Sequence, residues 1–131
     1  MMLCEFPTYP TIPASDLSRA RHFYEETLGL DADEVTPAGV MYRTKDSALF
    51  VYPSSFAGTN KATAAGFQVA DLRTTVAELK ARGVRFEEYD MGGEMKTVGS
   101  IMDSPDGPAA WFKDTEGNII GLFQPTRRTM G

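Results

Sequence analysis

Two kinds of side chain in this sequence could do chemistry: carboxylates and phenols suited to proton transfer, and aromatic rings suited to stacking. Asp103 and Glu94, with Tyr9 or Tyr52, could serve general acid/base catalysis if they meet over one cavity. Metal chemistry is poorly provided for. Divalent iron, zinc, nickel or magnesium sites draw on three or four imidazole, carboxylate or thiolate ligands. The chain has one His, His22, and one Cys, Cys4. His22 falls on the polar side of a helical pattern, opposite Leu17, Ala20 and Phe23, and reads as a solvated surface residue. Cys4 has no His placed to activate it. Ser54-Ser55 lacks a His/Asp partner set, and Gly92-Gly93 lacks the Lys-Ser/Thr that completes a phosphate loop. The segment Met91–Lys96 reads as a flap or a plain long hairpin. The acidic run Glu87-Glu88-Tyr89-Asp90 reads as a solvated strand edge.

The elements that must position these residues come in two copies. Tyr9–Leu17 reads as a short strand running into a helix, and Ala64–Leu72 repeats the layout. Ser15 or Asp16 caps the first helix, whose stripe is Leu17, Ala20, Phe23, Tyr24, Thr27 and Leu28, with Gly29 as terminator. Asp71 caps the second, with Leu72, Val76 and Leu79 as its stripe and Gly83 as its stop. Strands are expected near Asp33–Thr36, Gly39–Thr44 and Ala48–Tyr52. In the second half they are expected near Arg85–Tyr89, Lys96–Met102, Ala109–Lys113 and Ile119–Phe123. The order is β-α-β-β-β, a Ser/Gly/Thr/Asn-rich linker, then β-α-β-β-β.

The bulk numbers bound the partners. At 131 residues the chain is read as one domain: module one about 5–53, linker about 54–63, module two about 64–125, then a short tail. A formal net charge of −5 disfavours nucleic acid, and no apolar run is long enough to span a membrane. The opening Met1-Met2-Leu3-Cys4 is too short for a signal-peptide core. A single Cys excludes an intrachain disulfide, and the chain is most simply read as cytoplasmic.

Ser15-Asp16-Leu17-Ser18-Arg19-Ala20, then Phe23-Tyr24 and Leu28-Gly29-Leu30, resemble the first-half signature of the vicinal oxygen chelate superfamily. That group includes glyoxalase I, extradiol dioxygenases, fosfomycin-resistance enzymes and bleomycin-binding proteins. Phe112-Lys113-Asp114-Thr115-Glu116-Gly117-Asn118 resembles its second-half F-x-D-P-D-G-N motif, with Thr115 in place of Pro. The resemblance implies an α+β fold: two βαβββ modules forming a curved mixed sheet, helices on the convex side. It also implies a homodimer. In the metal-dependent members, ligands stand on the first and last strand of each module. Carried over, those positions are Tyr9 and Ala64, each seven residues before its helix-capping Asp, with Phe50 and Gly121 on the last strands. Only Tyr9 has a donor atom, and a phenol with pKa near 10 is a poor lone ligand. The resemblance therefore points to the metal-free branch, without a cofactor.

Strand alternation gives the rest of that inner face. With Tyr9 inward, Thr11 and Pro13 follow, while Pro10, Ile12 and Ala14 pack under the helix. Ala64, Gly66 and Gln68 face in, as do Ala48, Phe50, Tyr52, Ile119, Gly121, Phe123 and Trp111. Ala64, Gly66 and Gly121 are expected to leave room where a metal would sit. The candidate ligand-binding residues are Tyr9, Thr11, Phe50, Tyr52, Gln68, Trp111 and Phe123, a set suited to a flat, partly hydrophobic small molecule or antibiotic. The alternative is a metal-independent isomerase, epimerase or lyase.

Overall fold

Each helix begins where a short carboxylate side chain can satisfy the first free amides. Asp16 accepts the Arg19 N–H at 3.0 Å and opens α1 (Leu17–His22); Asp71 accepts the Thr74 N–H at 3.1 Å and opens α2 (Leu72–Ala81). Those structural descriptions come from a computed structural model covering residues 2–93 and 95–126. Glu94 and the end of the tail beyond Thr126 lie outside the described residues. Gly29 and Gly83 follow the helices in the left-handed conformation, with φ of 75° and 93°. That conformation suits glycine because it has no Cβ to clash.

The first helix does not run on to Gly29 as one regular stretch. After His22 it widens into a π turn over Phe23–Thr27, where the Leu28 N–H reaches the Phe23 carbonyl at 2.9 Å. Phe23 and Tyr24 stay buried through that turn, and Glu25 meets Tyr42, whose hydroxyl donates to it at 2.9 Å. A π turn has no signal in a simple apolar periodicity, so the expectation of an uninterrupted helix fails here.

Among the described residues seven strands form two sheets: β1 (Thr11–Ala14), β2 (Asp31–Thr36), β3 (Gly39–Thr44), β4 (Ser47–Pro53), β5 (Thr63–Gln68), β6 (Ala109–Lys113) and β7 (Ile119–Phe123). The first sheet has the order β1-β4-β3-β2, and the second β5-β7-β6. In both, the strand before the helix pairs parallel with the module's last strand. That is the same α+β plan written twice.

The expected strands Arg85–Tyr89 and Lys96–Met102 are reduced to isolated bridges: Phe86 to Phe112, Asp90 to Lys96, Val98 to Ile101 and Met102 to Ala109. Tight left-handed turns at Gly92-Gly93 and Gly99-Ser100 interrupt the ladder before it can extend.

Chain contacts divide the protein into two compact units. The first is Met1–Thr59 with Thr115–Asn118, and the second is Asn60–Asp114 with Ile119–Gly131. The turn between β6 and β7 thus belongs to the first unit. Ile12, Ala14, Ala20, Tyr24, Val40, Tyr42 and Val51 are fully buried in the first unit. Leu72, Ala110 and Ile120 are fully buried in the second, with Phe112 nearly so. Alternation along β1 and β4 follows the expected parity, except that Pro10 is exposed. It precedes β1.

Candidate functional site

The first unit gathers Tyr9, Thr11, Phe50 and Tyr52 on one face. Thr11 is the register partner of Phe50 in the parallel β1–β4 pair, which places both side chains on the same side of the sheet. Phe50 and Tyr52, two apart on β4, lie parallel with ring centroids 6.1 Å apart and an interplanar angle of 6°. Tyr9 meets Phe50 edge-on at 6.4 Å and is 47% exposed. Between them Leu49 and Val51 point into the core. The result is a half-open aromatic platform with a phenol at its rim.

Gly39, at the start of β3, belongs to this platform although sequence reasoning did not single it out. Its φ is +149°, and a Cβ there would lie 2.5 Å from the Val51 carbonyl oxygen and 2.7 Å from Cζ of Phe50. Only glycine lets the Phe50 ring lie this close to the neighbouring strand.

In the second unit Trp111 stands on β6 directly opposite Gly121 on β7, with Gly66 next across the sheet on β5. The expectation that Gly121 leaves room for a metal does not hold. A Cβ at Gly121 would meet Nε1 and Cδ1 of Trp111 at 3.3 and 3.4 Å, and Cγ2 of Thr63 at 3.3 Å. The indole and Thr63 already occupy that space. Thr63 reaches it because the β5–β7 register shifts between Thr63 and Ala65. A bulge of this kind moves one residue to the other face, so Thr63 takes the place assigned to Ala64.

Tyr89 completes this second face, its ring 5.5 Å from Trp111 at 62°. Burial pushes the Tyr89 phenol upward, with the nearby Glu87 charge adding to it. The acidic run around it gave no hint of an aromatic contact, and Glu88 does more than face solvent. Its carboxylate accepts hydroxyls of Thr97 at 2.5 Å and Ser100 at 3.2 Å, bonds that lower its pKa. Gln68 is exposed on β5 opposite Phe123, which is 37% exposed.

The most heavily bonded carboxylate is structural. Glu116, in the turn assigned to the first unit, accepts Ser15 Oγ at 3.0 Å, the Asp16 N–H at 2.9 Å and Arg19 Nε at 2.8 Å. Burial alone would push its pKa up. The hydrogen bonds from Arg19, Asp16, Ser15 and Thr115 outweigh burial and hold it down at about 2. Beside it, Asn118 donates to the Pro13 carbonyl at 2.8 Å. Glu116 and Asn118 of the motif thus clamp the entry to α1.

Of the acid/base candidates, Tyr9 and Tyr52 belong to the first platform. Asp103 is an exposed residue ion-paired with Arg73 at 3.1 Å, and Glu94 lies outside the described residues. His22 is exposed, and so is Cys4. Among the described residues no group of three or more His, Cys, Asp or Glu side chains could hold a metal ion. Of the positions that the sequence resemblance assigns to metal ligands, Tyr9 in the first unit carries a donor atom and Phe50 does not, and Ala64 and Gly121 in the second carry none. No helix among the described residues is long and apolar enough to cross a membrane.

Comparison with known proteins agrees with this architecture. No curated protein matches the chain. Among solved structures, UcmS2 superposes with a TM-score of 0.71 at 20% identity, covering 90% of this chain and 96% of that one. TnmS3, an antibiotic binding protein from Streptomyces sp. CB03234, gives 0.66 at 26% identity, covering 96% and 100%. The bleomycin-binding protein of Streptomyces verticillus, solved with copper(II)-bleomycin, gives 0.68 at 22% identity, covering 91% and 95%. The family model described as Glyoxalase/Bleomycin resistance protein/Dioxygenase superfamily matches residues 8–122. With the model spanning nearly the whole chain, this protein belongs to the glyoxalase/bleomycin resistance protein/dioxygenase superfamily.

Proposed function

We propose that this protein binds a flat, partly hydrophobic small molecule, an aromatic antibiotic being the leading class, without a metal and without turning it over. What supports the reading is aromatic packing at positions that the sequence resemblance assigns to metal ligands. Phe50 occupies one such position, and the Trp111 indole covers another at Gly121. Half-exposed parallel rings on a rigid strand suit stacking, worth about 0.5–1.5 kcal/mol per aromatic pair beyond the area buried. The antibiotic-binding relative at 26% identity supports the ligand class. We further propose that the protein works as a homodimer, to be checked by light scattering at high concentration.

Trp111 is the only tryptophan and belongs to the second unit, so its fluorescence reports binding there. Titration with a panel of aromatic antibiotics, bleomycin among them, is expected to give saturable quenching for at least one compound. Calorimetry with Phe50→Ala then tests the first platform, where a loss of affinity of about tenfold is expected. Absence of saturable binding across the panel would refute the reading.

A further inference from the structure

The second unit also holds an open cavity of about 460 Å³, lined by Lys96, Val98, Ile101, Asp103, Ser104 and Pro105. That volume lies within the range of small-molecule sites. Its wall is one face of a tight hairpin. Val98 and Ile101 exchange backbone hydrogen bonds of 2.8 and 3.2 Å across a turn in which Gly99 and Ser100 have φ of 58° and 76°. A left-handed serine is uncommon and strained, so the turn needs support. Glu88 supplies it through Thr97 and Ser100, and Thr97 is tied again to the Tyr89 backbone, N–H to carbonyl, at 2.8 Å. These bonds brace the cavity wall.

Two residues out along each arm stand a cation and an anion, Lys96 and Asp103. They do not pair with each other. Asp103 is held by Arg73, both side chains being largely exposed, and Lys96 makes no ion pair among the described residues. An exposed pair of this kind contributes little, so Asp103 can exchange Arg73 for another cation at small cost. Val98, 72% exposed, and Ile101 leave an apolar floor between the charges.

We propose that this cavity binds a small zwitterion with an apolar body, such as an aliphatic or aromatic α-amino acid. Its carboxylate lies at Lys96, its ammonium at Asp103 and its side chain on Val98 and Ile101. The site stands independently of the aromatic platforms.

The test is methyl-resolved NMR of the full chain titrated separately with L-leucine, isocaproate and isoamylamine. Leucine is expected to shift the Val98 and Ile101 methyls saturably, and to bind several-fold more tightly than either single-charge analogue. Lys96→Met and Asp103→Asn are each expected to weaken leucine about tenfold, and Lys45→Met, in the other unit, to leave it unchanged. No saturable methyl shift overturns the proposal. Equal binding of either analogue, or unaltered leucine affinity in either cavity variant, overturns the zwitterion assignment.

Discussion

The two units solve the same packing problem with the large residue on opposite strands. At one cross-strand position the first unit pairs Met41 on β3 with Phe50 on β4, and the second pairs Trp111 on β6 with Gly121 on β7. The aromatic ring is on the last strand in one unit and on its neighbour in the other. Each ring lies close to a glycine, Gly39 beneath Phe50 and Gly121 beneath Trp111. At the last-strand positions that the sequence resemblance assigns to ligands, the first unit carries the Phe50 ring and the second carries Gly121 against the Trp111 ring. The helix entries differ as well. Glu116, charged and bonded to Arg19, serves α1, whereas the neutral Gln124 side chain accepts the Leu72 N–H at 2.8 Å and serves α2.

The largest expected break in this comparison is at Glu116. Glu116→Ala leaves Ser15, the Asp16 N–H and Arg19 without their acceptor. Denaturant unfolding is expected to show a loss of about 2–4 kcal/mol, at the low end because Arg19 is half exposed. Next comes Gly39→Ala, where a Cβ meets backbone oxygen and the Phe50 ring; about 2 kcal/mol is expected by the same measurement. Gln124→Ala, the counterpart of the Glu116 change, is expected to cost about 1 kcal/mol. The smallest effect sharpens the comparison most. Gly121→Ala is expected to cost up to about 1 kcal/mol with Trp111 present and less beside Trp111→Ala, where only the Thr63 contact remains, a double-mutant coupling.

Acid should separate the two helix entries further. The folded-state pKa of Glu116 is depressed to about 2. Its contribution is therefore complete above the unfolded carboxylate value and is lost as pH falls through the folded one. The stability gap between the wild type and Glu116→Gln is expected to narrow as pH drops from about 5 towards 2. Gln124→Ala should show a gap that does not change over the same window. Unfolding midpoints at several pH values check both.

Much of the fold was legible because it rests on local chemistry. Asp16 and Asp71 cap the helices, Gly29 and Gly83 stop them, and strict alternation along β4 buries Leu49 and Val51 while leaving Phe50 and Tyr52 half open. What escaped depends on register and on side-chain volume. The bulge that exchanges Thr63 for Ala64 leaves no mark in an apolar pattern, because Thr63-Ala64-Ala65 are all small. Tyr89 sat in an acidic run, and its contact with Trp111 needs the bridge between Phe86 and Phe112 to bring the segment alongside β6. Gly121 looked like empty space in a list of inward residues. A neighbouring indole fills it, and the residue types at those two positions carry that information only once their pairing is known.

On the proposed function, aromatic packing stands in for metal ligands in binding. Titrating chelator-treated protein with the aromatic antibiotics, followed by Trp111 fluorescence, tests it most directly. The account predicts saturable quenching at full strength in the absence of metal, unchanged when a divalent cation is returned. Binding that appears only after adding zinc, iron or nickel, or no binding under either condition, would contradict it.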